Sequence, residues 1–343
     1  MNPLKPEDVG YNSSDFWPGA MKSVTYEGTP YGIPTNNETM ALIWNAKIFA
    51  DAGLDPESPP ATWDDVVQYS KTIHDKLGIS GYGLVAKQNA GNTPFRFMPQ
   101  LWAYGGGALD EAADNPNYGD IWVNNEGSKA ALQAAYQMYV VDKSVPTSAL
   151  TNTQAENQAP FIAGQLAMMI AHPSEYARMV DLSSKATGAD KAVADEVVAN
   201  MRYGLIPEGA SRRAVVFGGS NIHVVKPEYV NSGEYDEQAV KALICMWTSP
   251  EWSTKLAWTG SNPGHLGGFT TEWMKERLDT IKFLDVTTSM LPNGIPFPVI
   301  PESPEIMNIV IPDMMQNALT GTMTVDEAVE DAATKIQDII GGF

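Results

Sequence analysis

An unbroken apolar run from Met40 to Trp44 lies between the polar cluster Thr35, Asn36, Asn37, Glu38 and a polar Asn45. Five apolar residues are too few for a buried helix but suit a strand covered on both faces. Ahead of it, Gly32 and Pro34 disfavour helix and predict an extended path from Tyr31 to Pro34. Behind it, Asn45 predicts a helix cap, Ile48, Phe49 and Ala52 recur at helical spacing, and Gly53 supplies a left-handed stop. The polar cluster is expected to be exposed just before the buried strand, where its side chains must reach water or a ligand.

The alternation continues along the chain. Trp63, Val66, Val67, Ser70, Ile73 and Leu77 share a helical face behind a Thr62 cap, and GYGLVAK reads as the strand that follows. Leu132, Ala135, Tyr136 and Tyr139 mark another amphipathic helix. LAMMIAH, RYGLIP and VVFGGSNIHVV are strand-like, and SPEWSTKLAW is a helix capped by Ser249 with Pro250 at its first position. Near the end, Thr324 and Glu327 stand at capping-box spacing, with Val325, Ala328, Val329, Ala332, Ile336 and Ile339 facing inward. Residues 105–120, rich in Gly, Asp and Asn, predict a long surface loop, and 180–201 a polar helical excursion. Strands interleaved with helices predict an α/β protein.

At 343 residues the chain exceeds what one hydrophobic core usually supports, so two lobes are expected. The 41 acidic against 22 basic residues, a formal charge of −19, argue against nucleic acid and against anionic membrane surfaces as partners. No run reaches the roughly eighteen apolar residues of a membrane span, and no charged-then-apolar signal segment opens the chain, so no direct membrane insertion is expected. The single Cys245 excludes a disulfide within the chain and a thiolate metal cluster, and the four histidines offer no metal-ligand spacing. No HExxH, GxSxG, Walker loop or GxGxxG occurs. Neither a cofactor nor a metal is expected, and no catalytic residue is assigned.

Four stretches, in order, carry a family resemblance: YEGTPYGIPTNNETMALIWN, PPATWDDVVQYSK, FIAGQLAMMIAHPSEYARM, and FGGSNIHVV with SPEWSTKLAWTGSNPGHLGG. Over nearly the whole chain the sequence resembles the extracellular solute-binding proteins of sugar ABC importers, the class of maltose-binding protein. The resemblance implies a two-lobe periplasmic-binding-protein fold with hinge-crossing strands that closes over a carbohydrate in an interlobe cleft. It also implies a periplasmic or extracellular location and an ABC importer permease as partner. The first lobe would comprise 1–36 and 217–267, the second 38–215 and 268–343, with hinges near 35–40, 214–220 and 264–270. The family carries two further β-α repeats ahead of the point where this sequence starts, roughly 60 to 80 residues, so the first lobe is expected to be incomplete.

The resemblance also nominates site residues. Glu38 matches the acid that the family places on the hinge strand to accept sugar hydroxyls; beside it, Asn36 and Asn37 are either site residues or turn formers. His172, Ser174 and Tyr176 follow LAMMIA, where the family presents a ligand-facing aromatic. Ser174 stands where a tryptophan would be expected, which leaves Tyr176 or His172 to substitute. Ser220 and Asn221 offer hydrogen bonds beside Gly219, or form an ordinary turn. Phe95 and Arg96 stand where the family has a sugar-stacking aromatic, and Met307 where relatives carry a second stacking residue; each is otherwise core. Asn262 and His265 lie on a cleft-edge loop. Arg96, Arg202, Arg212 and Arg213 leave an acidic sugar open. Trp44, Trp63, Trp102, Trp247 and Trp258 read as core or hinge. The function implied is carbohydrate or polyol binding for import, without catalysis. The alternatives are a carbohydrate-active hydrolase, for which 41 acids supply carboxylates in plenty, and a protein that presents its ligand to a chemoreceptor.

Overall fold

In the computed structural model, which describes residues 3–114, 116–224 and 236–341 and of 257–259 only the main chain, the Met40–Trp44 run becomes the strand Ala41–Asn45, buried along its length. The Asn45 side chain then accepts from the Lys47 and Ile48 amides, starting the helix Ala46–Asp51, and Gly53 follows at φ 74°. Thr62 caps Trp63–Leu77 as the pattern predicts, and does so in a reciprocal pair with Asp65, while Thr324 and Glu327 form the predicted capping box ahead of Val325–Gly341. Each satisfies backbone amides that the first helical turn leaves without partners. The fold is mixed helix and sheet, as the alternation predicts.

The chain divides into two compact units, each built from several stretches. Unit 1 comprises Met1–Thr39, His172–Ser174 and Phe217–Ile300; unit 2 comprises Met40–Ala171, Glu175–Val216 and Pro301–Phe343. The stretch 268–300 therefore lies with the first lobe, where the sequence reading had placed it in the second. Its contacts within unit 1 explain this: the Phe217 amide donates to Ile295 O at 2.9 Å, Leu291 packs on Ala20 and Phe217, and Thr39 Oγ1 donates to Thr287 O at 2.6 Å. Of the residues assigned to the first lobe, 1, 2 and 225–235 lie outside the described residues.

Unit 2 is organised on a four-stranded sheet in the order Ser80–Tyr82, Leu166–Ala171, Ala41–Asn45, Met201–Gly204. The first pair is parallel and the others antiparallel, with Ala41 opposite Ala171 and Trp44 opposite Met168 and Arg202. Unit 1 holds a three-stranded antiparallel sheet, with Ile33–Glu38 between Asn262–Pro263 and Gly218–Ile222. Its main core joins Leu4, Val9, Phe16, Ile33 and Ile244.

Three expectations change. Thr35 to Glu38 is strand, and Thr35, Asn36 and Asn37 are buried because their side chains find hydrogen-bond partners inside the sheet. The 105–120 loop turns inward at Ala108, Leu109 and Glu111, all at most 1% exposed, because the Glu111 carboxylate gathers the Trp102 indole and the Ala108 and Leu109 amides. Trp63, Trp102 and Trp44 are core, whereas Trp247 is 43% exposed, stacked in parallel on Trp252 at 6.2 Å; the side chain of Trp258 lies outside the described residues. No described helix is long and apolar enough to cross a membrane.

Candidate functional site

The Ile33–Glu38 strand pairs with Gly218–Ile222 through a register shift between Pro34 and Asn36, so Thr35 is an extra residue, a β-bulge. Past the bulge the register is regular: Asn36 faces Ser220, Asn37 faces Gly219 and Glu38 faces Gly218. Side chains alternate along a strand, which puts Asn36 and Glu38 on one face and Asn37 on the other. Gly219 is required there, since its φ of 137° is one that L side chains rarely adopt and a Cβ would lie 2.2 Å from Asn36 O.

On the shared face a small polar constellation is built within unit 1. Asn36 accepts from the Ser220 amide at 2.8 Å through Oδ1 and donates to Glu38 Oε1 at 3.2 Å through Nδ2. Ser261 Oγ donates to the same Oε1 at 2.8 Å. The second carboxylate oxygen, Oε2, lies 3.8 Å from His172 Nδ1, with the two side chains 36% and 25% exposed. Gly260, at φ 92°, brings the 172–174 segment close, because a Cβ there would stand 2.7 Å from Pro173 Cβ. One carboxylate oxygen is thus committed to orienting donors, and the other, on a side chain that is itself half-buried, faces His172. Ser220 and Ser174 are exposed nearby in sequence, and Asn221 is half-buried opposite Pro34.

Other nominated residues of unit 1 serve the framework. Asn37 is fully buried and donates to Pro263 O at 2.8 Å, because alternation turns it away from Glu38. Asn262 is fully buried, accepting from Thr288 Oγ1 at 2.6 Å and donating to Thr287 Oγ1 at 3.4 Å. His265 accepts from the Gly267 amide at 3.0 Å and packs edge-on against Tyr11 and Phe16; burial holds its pKa below the ordinary imidazole value. Ser261 was missed by sequence reasoning. Its signal was alternation again: with Asn262 turned inward, Ser261 takes the opposite face.

In unit 2, the helix Asn92–Ala103 buries every residue from Thr93 onward except Phe95, which is left half-exposed. Tyr176, second in the helix Glu175–Lys185, is half-buried. Met307, 1% exposed, is core. Arg96, 4% exposed, points inward, with its guanidinium donating to Gln154 Oε1; burial pushes its pKa down to about 10. The remaining arginines are engaged elsewhere: Arg202 pairs with Glu57 at 3.1 Å, Arg212 donates to Ala112 O at 2.8 Å, and Arg213 binds Ile206 O and Glu208. Among the described residues, no group of three or more His, Cys, Asp or Glu could hold a metal ion.

The family described as bacterial extracellular solute-binding protein matches residues 1–254. The sn-glycerol-3-phosphate-binding periplasmic protein UgpB of Salmonella paratyphi A is 21% identical over 347 residues, covering 99% of this chain and 74% of that protein. Among solved structures, maltose-bound MalE3 of T. maritima superposes with a TM-score of 0.77 at 22% identity, covering 98% of this chain and 80% of that one. An ABC transporter solute-binding protein from Thermotoga lettingae bound to α-D-tagatose gives 0.77 at 23% identity, covering 99% and 80%.

Proposed function

We infer the function of this chain from the family to which it belongs, the bacterial extracellular solute-binding proteins: it captures a sugar or polyol and hands it to the membrane permease of an ABC importer. The family implies a location outside the cytoplasm, periplasmic or extracellular. The similar structures were solved with maltose and with α-D-tagatose, and the Salmonella relative is named for sn-glycerol 3-phosphate. All three ligands present at least two hydroxyl groups.

The observation that carries this reading is the Glu38 constellation. A carboxylate whose Oε1 is held by Asn36 and Ser261 keeps Oε2 as a fixed acceptor, which suits a hydroxyl donor. Charge-assisted hydrogen bonds of this type are stronger than neutral ones. In unit 1, His172, Ser174, Ser220 and Asn221 supply further polar partners. Unit 2 by itself carries two half-buried aromatic rings, Phe95 and Tyr176, of the kind that stack on sugar C–H groups. Binding of this kind makes and breaks no covalent bond, so the protein is read as non-catalytic.

The test is calorimetric titration with maltose, D-tagatose and sn-glycerol 3-phosphate. At least one should bind, and Glu38→Gln should weaken it by roughly ten- to a hundredfold, since a hydrogen bond to a charged group is worth about 1.5–3 kcal/mol. Unchanged affinity in Glu38→Gln removes Glu38 from the site. Steady release of reducing ends from maltotriose would favour a hydrolase instead.

A further inference from the structure

Three helices of unit 2 begin at one buried place. Asn92, Gln154 and Glu175 are the first residues of Asn92–Ala103, Gln154–Ile162 and Glu175–Lys185, and Asn92 Oδ1 accepts from the Gln154 amide at 2.9 Å. The Gln154 side chain bridges the other two helices: its Oε1 accepts from Arg96 Nη2, and its Nε2 donates to Glu175 Oε1. Gln158 donates to both Glu175 oxygens, at 2.9 and 3.1 Å, and accepts from Arg178 Nε at 3.1 Å. Arg96, Gln154, Gln158 and Glu175 are all at most 9% exposed.

The arrangement is costly to keep unless each member is in place. A buried guanidinium and a buried carboxylate are coupled through an amide rather than in direct contact, and only one orientation of the Gln154 amide serves both. Among the described residues the Arg96 Nε finds no hydrogen-bond partner, so the cation leans on Gln154 and, at 3.5 Å, on Asn92 O. Removal of the Glu175 charge would leave the buried Arg96 guanidinium without its buried counter-charge.

We propose that Glu175 is a positioning residue for ligand binding: through Gln154 and Arg96 it fixes the spacing and orientation of Phe95 and Tyr176. Successive helical residues point about 100° apart, so a network that fixes the rotation of each helix at Arg96 and Glu175 also fixes the direction in which the adjacent half-buried rings of Phe95 and Tyr176 point. This rests on the reading of those two aromatic residues as ligand faces. The charged groups facing Glu175 are Arg96 from the Asn92–Ala103 helix and Arg178 from its own helix; Gln154–Ile162 presents only the amides of Gln154 and Gln158. Burial holds the Glu175 carboxyl above its ordinary pKa, opposed by the Gln158 hydrogen bond and the two guanidinia. Acid should therefore release the network as the carboxylate is protonated.

The test uses the full chain carrying 3-fluorotyrosine, with the Tyr176 fluorine resonance assigned through Tyr176→Phe. In the wild type the resonance should move as pH is lowered from 8 to 4. In Glu175→Gln it should already be displaced at pH 8 and no longer respond to pH. Gln154→Met keeps both charges and the Gln158 bonds but cannot bridge; it should displace the same resonance, and it decides the matter if Glu175→Gln fails to fold. Both variants should bind maltose, D-tagatose or sn-glycerol 3-phosphate about tenfold more weakly, whichever of these binds the wild type. A Tyr176 resonance with the wild-type position and pH response in the folded variants overturns the proposal. If none of the three compounds binds the wild type, the functional reading fails, while the fluorine signal still decides whether Glu175 sets the position of Tyr176.

Discussion

Glu111 should make the protein lose stability as pH rises from about 4.5 to about 7. Its carboxylate is 1% exposed and takes hydrogen bonds from Trp102 Nε1 at 2.9 Å, the Ala108 amide at 2.9 Å and the Leu109 amide at 2.7 Å. Those donors favour the ionised form, yet burial outweighs them and pushes the pKa up from 4.5 to about 7. In the unfolded chain the group titrates near the ordinary value. Below about pH 4.5 both states hold the proton and the contribution is complete; between there and about pH 7 the unfolded state releases its proton first, so folding loses stability as pH rises. The gap between 4.5 and 7, at about 1.4 kcal/mol per pH unit, amounts to about 3 kcal/mol. For a unit of this size that is a melting shift of roughly 6–12 °C. Glu111→Gln cannot ionise and removes this slope. Scanning calorimetry of both proteins at pH 5 and pH 8 isolates the effect, because other titrating groups contribute equally to each. At pH 5 part of this has already gone, so the wild type should lose about 2.5 kcal/mol more than the variant between those pH values; parallel losses would show that burial does not dominate at Glu111.

Two further outcomes follow from positions already described. Gly219→Ala forces a side chain into a φ of 137° and 2.2 Å from Asn36 O; it should cost roughly 1–3 kcal/mol in urea unfolding and also weaken sugar binding, and wild-type stability would refute the need for glycine. Met307→Ala should cost about 2–5 kcal/mol as a core cavity while leaving sugar affinity unchanged. A selective loss of affinity with stability intact would return Met307 to the site.

What the sequence could show was local. Asn45, Thr62 with Asp65, and Thr324 with Glu327 stop or start helices through partners within three residues, so their roles are written in adjacent letters. The phase of the Ile33–Glu38 strand is not local. How the Asn36–Glu38 face is phased against Ile33 and Pro34 depends on a bulge that appears only when the strand pairs with residues some 185 positions away. Glu111 looked like one acid among many in a polar loop, since its partners are two main-chain amides and an indole. Gln154 and Gln158 carried no signal at all; glutamine at the start of a helix is ordinary, and only the buried charges on either side give it a task. Trp247 shows the converse: apolar neighbours suggested core, yet its side of the helix Glu237–Trp247 is left open.

The interleaved make-up of the two units bears on how the molecule emerges from a ribosome. Chains of two contiguous domains can fold the first while the second is still being made. Here synthesis passes from unit 1 to unit 2 after Thr39, back for the three residues 172–174, again for 217–300, and finishes unit 2 with 301–343. Neither unit is complete until most of the other exists. The strand Ile33–Glu38 must wait for Gly218–Ile222 and Asn262–Pro263 before either of its edges is paired. Unit 1 stays unfinished until residue 300 is made, and unit 2 until the stretch that follows it. The nascent chain is therefore suited to handling by holding factors, and to release as a whole rather than piece by piece.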